Sequence, residues 1–183
     1  MIPRLLSKNE GDADNQVFSE LFDDFYTQLL RIACRICDSS EVAEELCQET
    51  FLRYYERRKR LPQGIEARYW LIRVVKNLAL SHEKRIRRER KAYLDIASKP
   101  MRESLNQGEI ATLSDESRKY VQEALLRVPY KLRVPLILKA YAEYPYSIIA
   151  QILHISENNV KIRIFRARQH LSKYLKKEDL YVP

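Results

Sequence analysis

The stretch YSIIAQILHISENNVKIRIFRARQHL, from Tyr146 to Leu171, decides how this chain is read. Ser147 to Leu153 predicts a short helix, His154-Ile155 a tight turn, and Ser156 the N-cap of a second helix, since a Ser hydroxyl can satisfy a free N–H of the first turn. That is a helix-turn-helix pattern. In the second helix Val160, Ile164, Ala167 and Leu171 recur at spacings of four, three and four, one stripe facing a core. The opposite face then falls to Asn158, Asn159, Ile162, Phe165, Arg166 and Gln169, flanked by Lys161, Arg163 and Arg168. Asn and Gln can read adenine edges in a major groove, Arg can read guanine, and Ile can meet a thymine methyl. The flanking cations suit phosphates and fix register. The plainer alternative is a helical hairpin with a solvated basic face; cap, stripe and cation placement together favour DNA.

Outward from this stretch, the chain has 183 residues and only three glycines, Gly11, Gly64 and Gly108. So few turn residues leave little room for hairpins, and the class is all-α. Helical periodicity runs from about Val17 to Cys37, with Phe18, Leu21, Phe22, Phe25, Leu29 and Ile32 at spacings of three and four. Asp38-Ser39-Ser40 breaks it and supplies a cap, read as Ser40, for a second helix from about Glu41 to Arg58. Leu61-Pro62-Gln63-Gly64 is a loop, and a third helix runs from about Ala67 to Arg90. The expected organisation is a flexible N-terminus over 1–16, a helical domain over 17–90, a flexible linker over 91–117, a helix-turn-helix domain over 118–177 and a tail over 178–183.

The charge is segregated. Net charge is +8, but Arg57 to Lys91 holds thirteen Lys/Arg against three Asp/Glu, and Arg118 to Lys177 holds the same numbers. Each block carries +10, so the remainder carries −12. Two basic blocks imply two surfaces for a polyanion, and the acidic part implies a surface for something else.

The second helix, VAEELCQETFLRYYERR from Val42 to Arg58, buries Ala43, Leu46, Cys47, Thr50 and Tyr54 on one stripe. Its outer face carries Glu45, Gln48, Glu49, Leu52 and Glu56. A Leu among carboxylates is odd on a solvated face and reasonable at a protein interface; a solvated acidic helix with one stray Leu is the alternative. In the third helix Leu71, Val74, Val75, Leu78 and His82 point one way. Arg73, Lys76, Asn77, Leu80, Lys84 and Arg87 point the other, a face suited to phosphate tracking. Trp70 reads as core, Tyr69 as more open.

Taken together, these segments resemble the extracytoplasmic-function sigma factors of bacterial RNA polymerase. Tyr146 to Leu171 is similar to the family pattern YxEIAEILGISEGTVKSRLxRARxxL, Ala43 to Arg53 to AEDLVQETFLR, and Tyr69 to Ala79 to WLxxIAxNLA. Ala124 to Pro129 and Arg133 to Leu136 resemble the family's entry helices. The resemblance covers about Phe18 to Arg90 and Val121 to Lys176. It implies that Glu45, Gln48, Glu49, Leu52 and Arg53 dock on the clamp helices of the polymerase largest subunit. Arg60, Tyr69, Arg73, Lys76, Asn77, Lys84 and Arg87 would engage the −10 element, with a base extruded into a pocket formed with the preceding loop. Asn158, Asn159, Lys161, Ile162, Arg163, Phe165, Arg166, Arg168 and Gln169 would engage the −35 element. An anti-sigma factor is a further partner that the resemblance allows. The sequence departs from the pattern at His154, where the turn has Gly, at Asn158-Asn159, at Ile162 and at Ser81. His154 is tolerable in the turn as long as its φ is not positive.

No cofactor and no metal are expected. Cys34-x-x-Cys37 has no second Cys or His pair at ligand spacing, so Cys34, Cys37 and Cys47 read as free thiols. His82, His154 and His170 stand apart with no nucleophile or carboxylate arrangement, no phosphate-cradling Gly loop is present, and an enzyme has no foothold. No apolar run reaches bilayer length and the start lacks an apolar signal region, so the expected setting is the cytoplasm without membrane insertion. A stand-alone helix-turn-helix regulator, or an adaptor that binds polymerase or an anti-sigma factor, remains a different class of reading.

Overall fold

The computed structural model describes residues 12–37, 39–96 and 113–175. Among them the elements are helices throughout: α1 (Asp12–Cys37), α2 (Ser40–Arg57), a 3-10 turn (Arg58–Arg60), α3 (Gly64–Ile96), α4 (Leu113–Arg127), α5 (Tyr130–Ala140), α6 (Tyr146–Leu153) and α7 (Glu157–Ser172).

Helices α1 to α3 pack on one another around Phe25, Leu29, Ile32, Phe51, Leu71, Ile72 and Val75, all fully buried. One end is an aromatic cluster: Phe22 meets Phe51 edge-on at 4.9 Å, and Phe18 meets Tyr55 edge-on at 5.0 Å. Such pairs add about 0.5–1.5 kcal/mol each beyond their buried area. The predicted α2 stripe of Ala43, Leu46, Cys47, Thr50 and Tyr54 is buried, with Phe51 beside it. Thr50 donates its hydroxyl to the Leu46 carbonyl at 2.7 Å, which lets a polar side chain sit in the core. Tyr54 donates to the Pro62 carbonyl at 2.9 Å, pinning the loop that launches α3. Trp70 is half-buried, its ring 5.7 Å from Tyr54.

Helices α4 to α7 form the second unit, with α5 packed chiefly on α7. Its core is Val134, Ile137, Leu138, Ile149, Ile152, Val160, Ile164 and Ala167. Leu171, the last position of the predicted stripe, is half-buried.

Several expected boundaries move. Residues 12–16, expected to be loose, begin α1. Helix α3 starts at Gly64 rather than Ala67 and runs on to Ile96, well past Arg90, while α4 begins at Leu113, inside the expected linker. The turns just before Arg90 are solvated and rich in strong helix formers, with i,i+4 pairs such as Arg87–Glu83 at 3.5 Å and Arg85–Glu89 at 3.8 Å, so the helix has no local reason to stop there. Residues 1–11, 97–112 and the expected tail lie outside the described residues. The cap of α2 is Ser39, not Ser40; its hydroxyl accepts from the Val42 N–H at 3.2 Å.

The two units pack against each other, α5 on α1 and α6 on α3. The contact joins the apolar cores of the two units into one cluster and is fastened by polar pairs. Arg133 of α5 is buried and donates to Glu83 of α3 at 2.6 Å and to the Leu126 carbonyl at 3.0 Å. Tyr130 donates its hydroxyl to the Lys76 carbonyl. Arg35 donates to Gln122 at 3.2 Å and lies over the Tyr141 ring, 4.6 Å from its centroid. Gln151 donates to Glu66 at 2.8 Å.

Candidate nucleic-acid interface

The α6–α7 turn sets the attitude of the reading helix. Ser156 caps α7 as expected, accepting from the Asn159 N–H at 3.3 Å. His154 ends α6 with φ 52° and ψ 50°, so the turn imposes the positive φ under which His is less well tolerated than Gly. The reason lies in the helix end. The N–H groups of His154 and Ile155 both return to the Ala150 carbonyl, a closure that requires a left-handed residue at this point. His tolerates it better than a β-branched residue, at a cost of roughly 1 kcal/mol.

On α7, Asn158, Ile162, Phe165, Arg166, Arg168 and Gln169 are exposed, as the stripe predicts. The flanking residues are more committed. Lys161 pairs with Glu157 at 3.1 Å, and half-buried Arg163 donates to Asn159 at 2.9 Å. Asn159 is therefore turned toward Arg163.

The α3 face is divided. Lys84 and Arg87 are exposed, as are Asn77 and, on the 3-10 turn before the helix, Arg60. Toward the start of α3 the second unit covers the face. Tyr69 is buried, edge-on to Tyr144 at 6.2 Å, and Arg73 donates to His154 Nε2. Half-buried Lys76 is held below its ordinary pKa by burial, with Arg73 of α3 and Arg163 of α7 adding repulsion. The open face expected from spacing is thus open only in its later half, because spacing cannot register what a distant helix covers.

The α2 outer face stays free. Glu45 and Gln48 are exposed and Leu52 is 36% exposed, while Arg53 donates to Glu49 at 2.6 Å. The pair leaves two carboxylates, Glu45 and Glu56, on the face that holds Leu52 and the amide.

The three thiols are free. Burial pushes Cys37 and Cys47 up to about 12, so both stay protonated and unreactive. No group of three or more metal-ligating side chains occurs among the described residues, and none of their helices is long and apolar enough to cross a membrane. The residues that sequence reading missed are those of the contact between units: Arg35, Glu66, Glu83, Gln122, Tyr130, Arg133 and Tyr144. Arg133 gave one available signal, a cation standing inside the otherwise apolar run Leu132 to Leu138.

Two family models match this chain, Sigma-70 region 2 over residues 21–91 and Sigma-70, region 4 over residues 118–171. The ECF RNA polymerase sigma factor SigW of Bacillus subtilis is 28% identical, the alignment covering 94% of this chain and 95% of SigW. The RNA polymerase sigma-H factor of Pseudomonas aeruginosa is 26% identical, covering 88% of each. Among solved structures, the sigma factor RpoE, in complex with the anti-sigma factor NepR from Bartonella quintana, superposes with a TM-score of 0.67 at 21% identity. It covers 88% of this chain and 98% of that one.

Proposed function

We propose how this chain works on the footing that it belongs to the extracytoplasmic-function sigma factors of the sigma-70 family. It is an initiation factor that directs RNA polymerase to promoters. In our reading the chain does no chemistry: nucleotide addition and its metal ions stay with the polymerase, in the cytoplasm. The α2 face of Glu45, Gln48, Glu49, Leu52 and Arg53 docks on the clamp helices of the largest subunit. The α7 face, with Asn158, Asn159, Lys161, Ile162, Arg163, Phe165, Arg166, Arg168 and Gln169, takes the −35 element. Arg60, Tyr69, Arg73, Lys76, Asn77, Lys84 and Arg87 hold the −10 element, where extruding a base costs a few kcal/mol, offset by stacking and phosphate contacts.

The observation that carries this reading is one chain presenting both an exposed helix-turn-helix reading face and a free acidic face around Leu52. A second consequence follows from the contact between the units. Tyr69, Arg73 and Lys76 can meet DNA only after α5 and α6 swing away from α3. Binding to core polymerase supplies a surface on which the units separate, and an anti-sigma factor would act by keeping promoter faces covered.

The test is run-off transcription from a genomic-fragment library with bacterial core polymerase, with and without this protein. Discrete new starts that depend on the chain are expected. Stable DNA binding by the chain alone, with no dependent initiation, would point instead to a stand-alone regulator. At the level of the interface, Glu45→Lys with Glu49→Lys should abolish core binding and spare the helix-turn-helix; retained core affinity would sink the α2 assignment.

A further inference from the structure

The exposed face of α7 carries a feature that phosphate contact does not need. Asn158, Ile162, Phe165 and Gln169 follow one another at spacings of four, three and four, so they form a single ridge along the helix. Ile162 is 50% exposed, and Phe165, at 62%, is the most open of the exposed large apolar side chains among the described residues. One exposed apolar residue needs no explanation. Two adjacent ones, at the centre of a reading face and between two amides, do. The cations stand beside the ridge rather than on it: Lys161 and Arg163 are turned to Glu157 and Asn159, while Arg166 and Arg168 are exposed.

We propose that this ridge selects thymine: Ile162 and Phe165 each seat against the C5-methyl of a thymine at neighbouring base-pair steps, while the Asn158 and Gln169 amides read the bases on either side. The inference rests on the −35 role of α7 and specifies what that role recognises. Residues three apart advance about 4.5 Å along a helix axis, close to the roughly 3.4 Å between stacked base pairs. In the major groove the thymine methyl is the apolar group that distinguishes one base edge from the others, and Phe is among the side chains that meet it. A protein partner also takes an apolar centre within a polar rim, so the sign of the bordering charge is what points to DNA. Here exposed Arg166 and Arg168 border the ridge, which complements a polyanion.

The experiment uses the full chain bound to core polymerase. A promoter that supports dependent initiation is taken, and each thymine of its upstream element is replaced in turn by uracil, which keeps the pairing and deletes only the methyl. Uracil at two neighbouring steps should weaken promoter binding about fourfold each, the equivalent of ~0.8 kcal/mol per buried methyl. Ile162→Ala should abolish the sensitivity at one step and Phe165→Ala at the other. Both side chains are exposed, so neither variant should disturb folding, which circular dichroism checks. Uracil that is silent at every step would overturn the proposal while leaving the sigma reading intact, since initiation would still occur. So would sensitivity that survives in the double variant. If the two variants instead lose core affinity with thymine discrimination unchanged, the ridge is a protein contact and the proposal fails. No dependent initiation from any promoter would remove both readings together.

Discussion

Helices α3 and α7 each set a face rich in Arg and Lys opposite an apolar stripe, and their sequences invite the same reading. The molecule treats them differently. On α7 the ridge from Asn158 to Gln169 is open to solvent; on α3 the residues Tyr69, Arg73 and Lys76 lie under the second unit, and only the later half of the face is free. Amphipathic spacing reports which side of a helix its own core rejects. It says nothing of whether another unit covers that side, and for a factor that meets two DNA elements this decides which face is available first. On the proposed assignment, the −35 reader is presented and much of the −10 reader is withheld.

The strongest way to break the difference is Arg133→Ala. The guanidinium is buried, pairs with Glu83 across the contact and satisfies the Leu126 carbonyl within its own unit. Removing one partner of such a pair costs about 3 kcal/mol, more than any of the single hydrogen bonds that also cross the contact, near 1 kcal/mol each. The units should separate, seen as a larger radius of gyration in small-angle scattering. The Cys37 thiol, whose pKa is raised chiefly by burial, should be uncovered and become more reactive toward alkylation, although the lost Arg133 cation had acted to lower that pKa. An unchanged radius in a folded variant would mean that Arg133 does not hold the units together.

Glu83→Gln is gentler, since it keeps a hydrogen bond and leaves the second unit intact. If it favours the open form, Arg73 and Lys76 become free to meet two more phosphates. The slope of log affinity against log salt should then steepen by about 2, since each neutralised phosphate contributes roughly 0.9. Equal slopes for the variant and the native chain would show that the covered cations never reach DNA.

The parts legible in the sequence were those governed by local rules. The α7 stripe, the Ser156 cap and the α2 stripe need only helical period and a hydroxyl at the right place. The end of α3 is not legible from apolar period: a solvated stretch loses the stripe without losing the helix, and no Gly or Pro follows Arg90 until Pro100. Arg133, Glu83 and Tyr130 stayed hidden for another reason. Arg133 and Glu83 are fifty residues apart, and no period links the surfaces of two units.

His154→Gly tests the hinge on which the open face depends. A left-handed φ of 52° is strained for His and free for Gly. Part of the gain is returned through the looser unfolded chain, leaving at most about 0.5 kcal/mol of added stability. The melting temperature should rise by about a degree or two. Because the imidazole also accepts from Arg73, the same change should loosen α6 from α3. A fall in melting temperature would mean that this interdomain contact outweighs the relieved strain.

The smallest expected effect runs in the opposite direction and makes the covering of α3 tighter. Lys76 offers its carbonyl to Tyr130, but its ammonium is desolvated beside Arg73 and Arg163 when the units are packed. Lys76→Met keeps the backbone acceptor and the bulk while removing the charge, so packing should strengthen by less than ~1 kcal/mol, the scale of a screened, partly exposed charge. The native chain carries a pH signature of the same effect. The packed form lowers the pKa of this lysine, so it releases the proton earlier than the open form does. Packing should therefore be flat with pH well below that depressed value, then strengthen as pH rises through it toward the ordinary 10.5. Lys76→Met should remove this contribution to the slope and reduce DNA affinity on the α3 side, with α7 binding unaffected. If fluorescence energy transfer between the units shows the same pH response in both proteins, the repulsion at Lys76 is not what keeps the covered face ready to open.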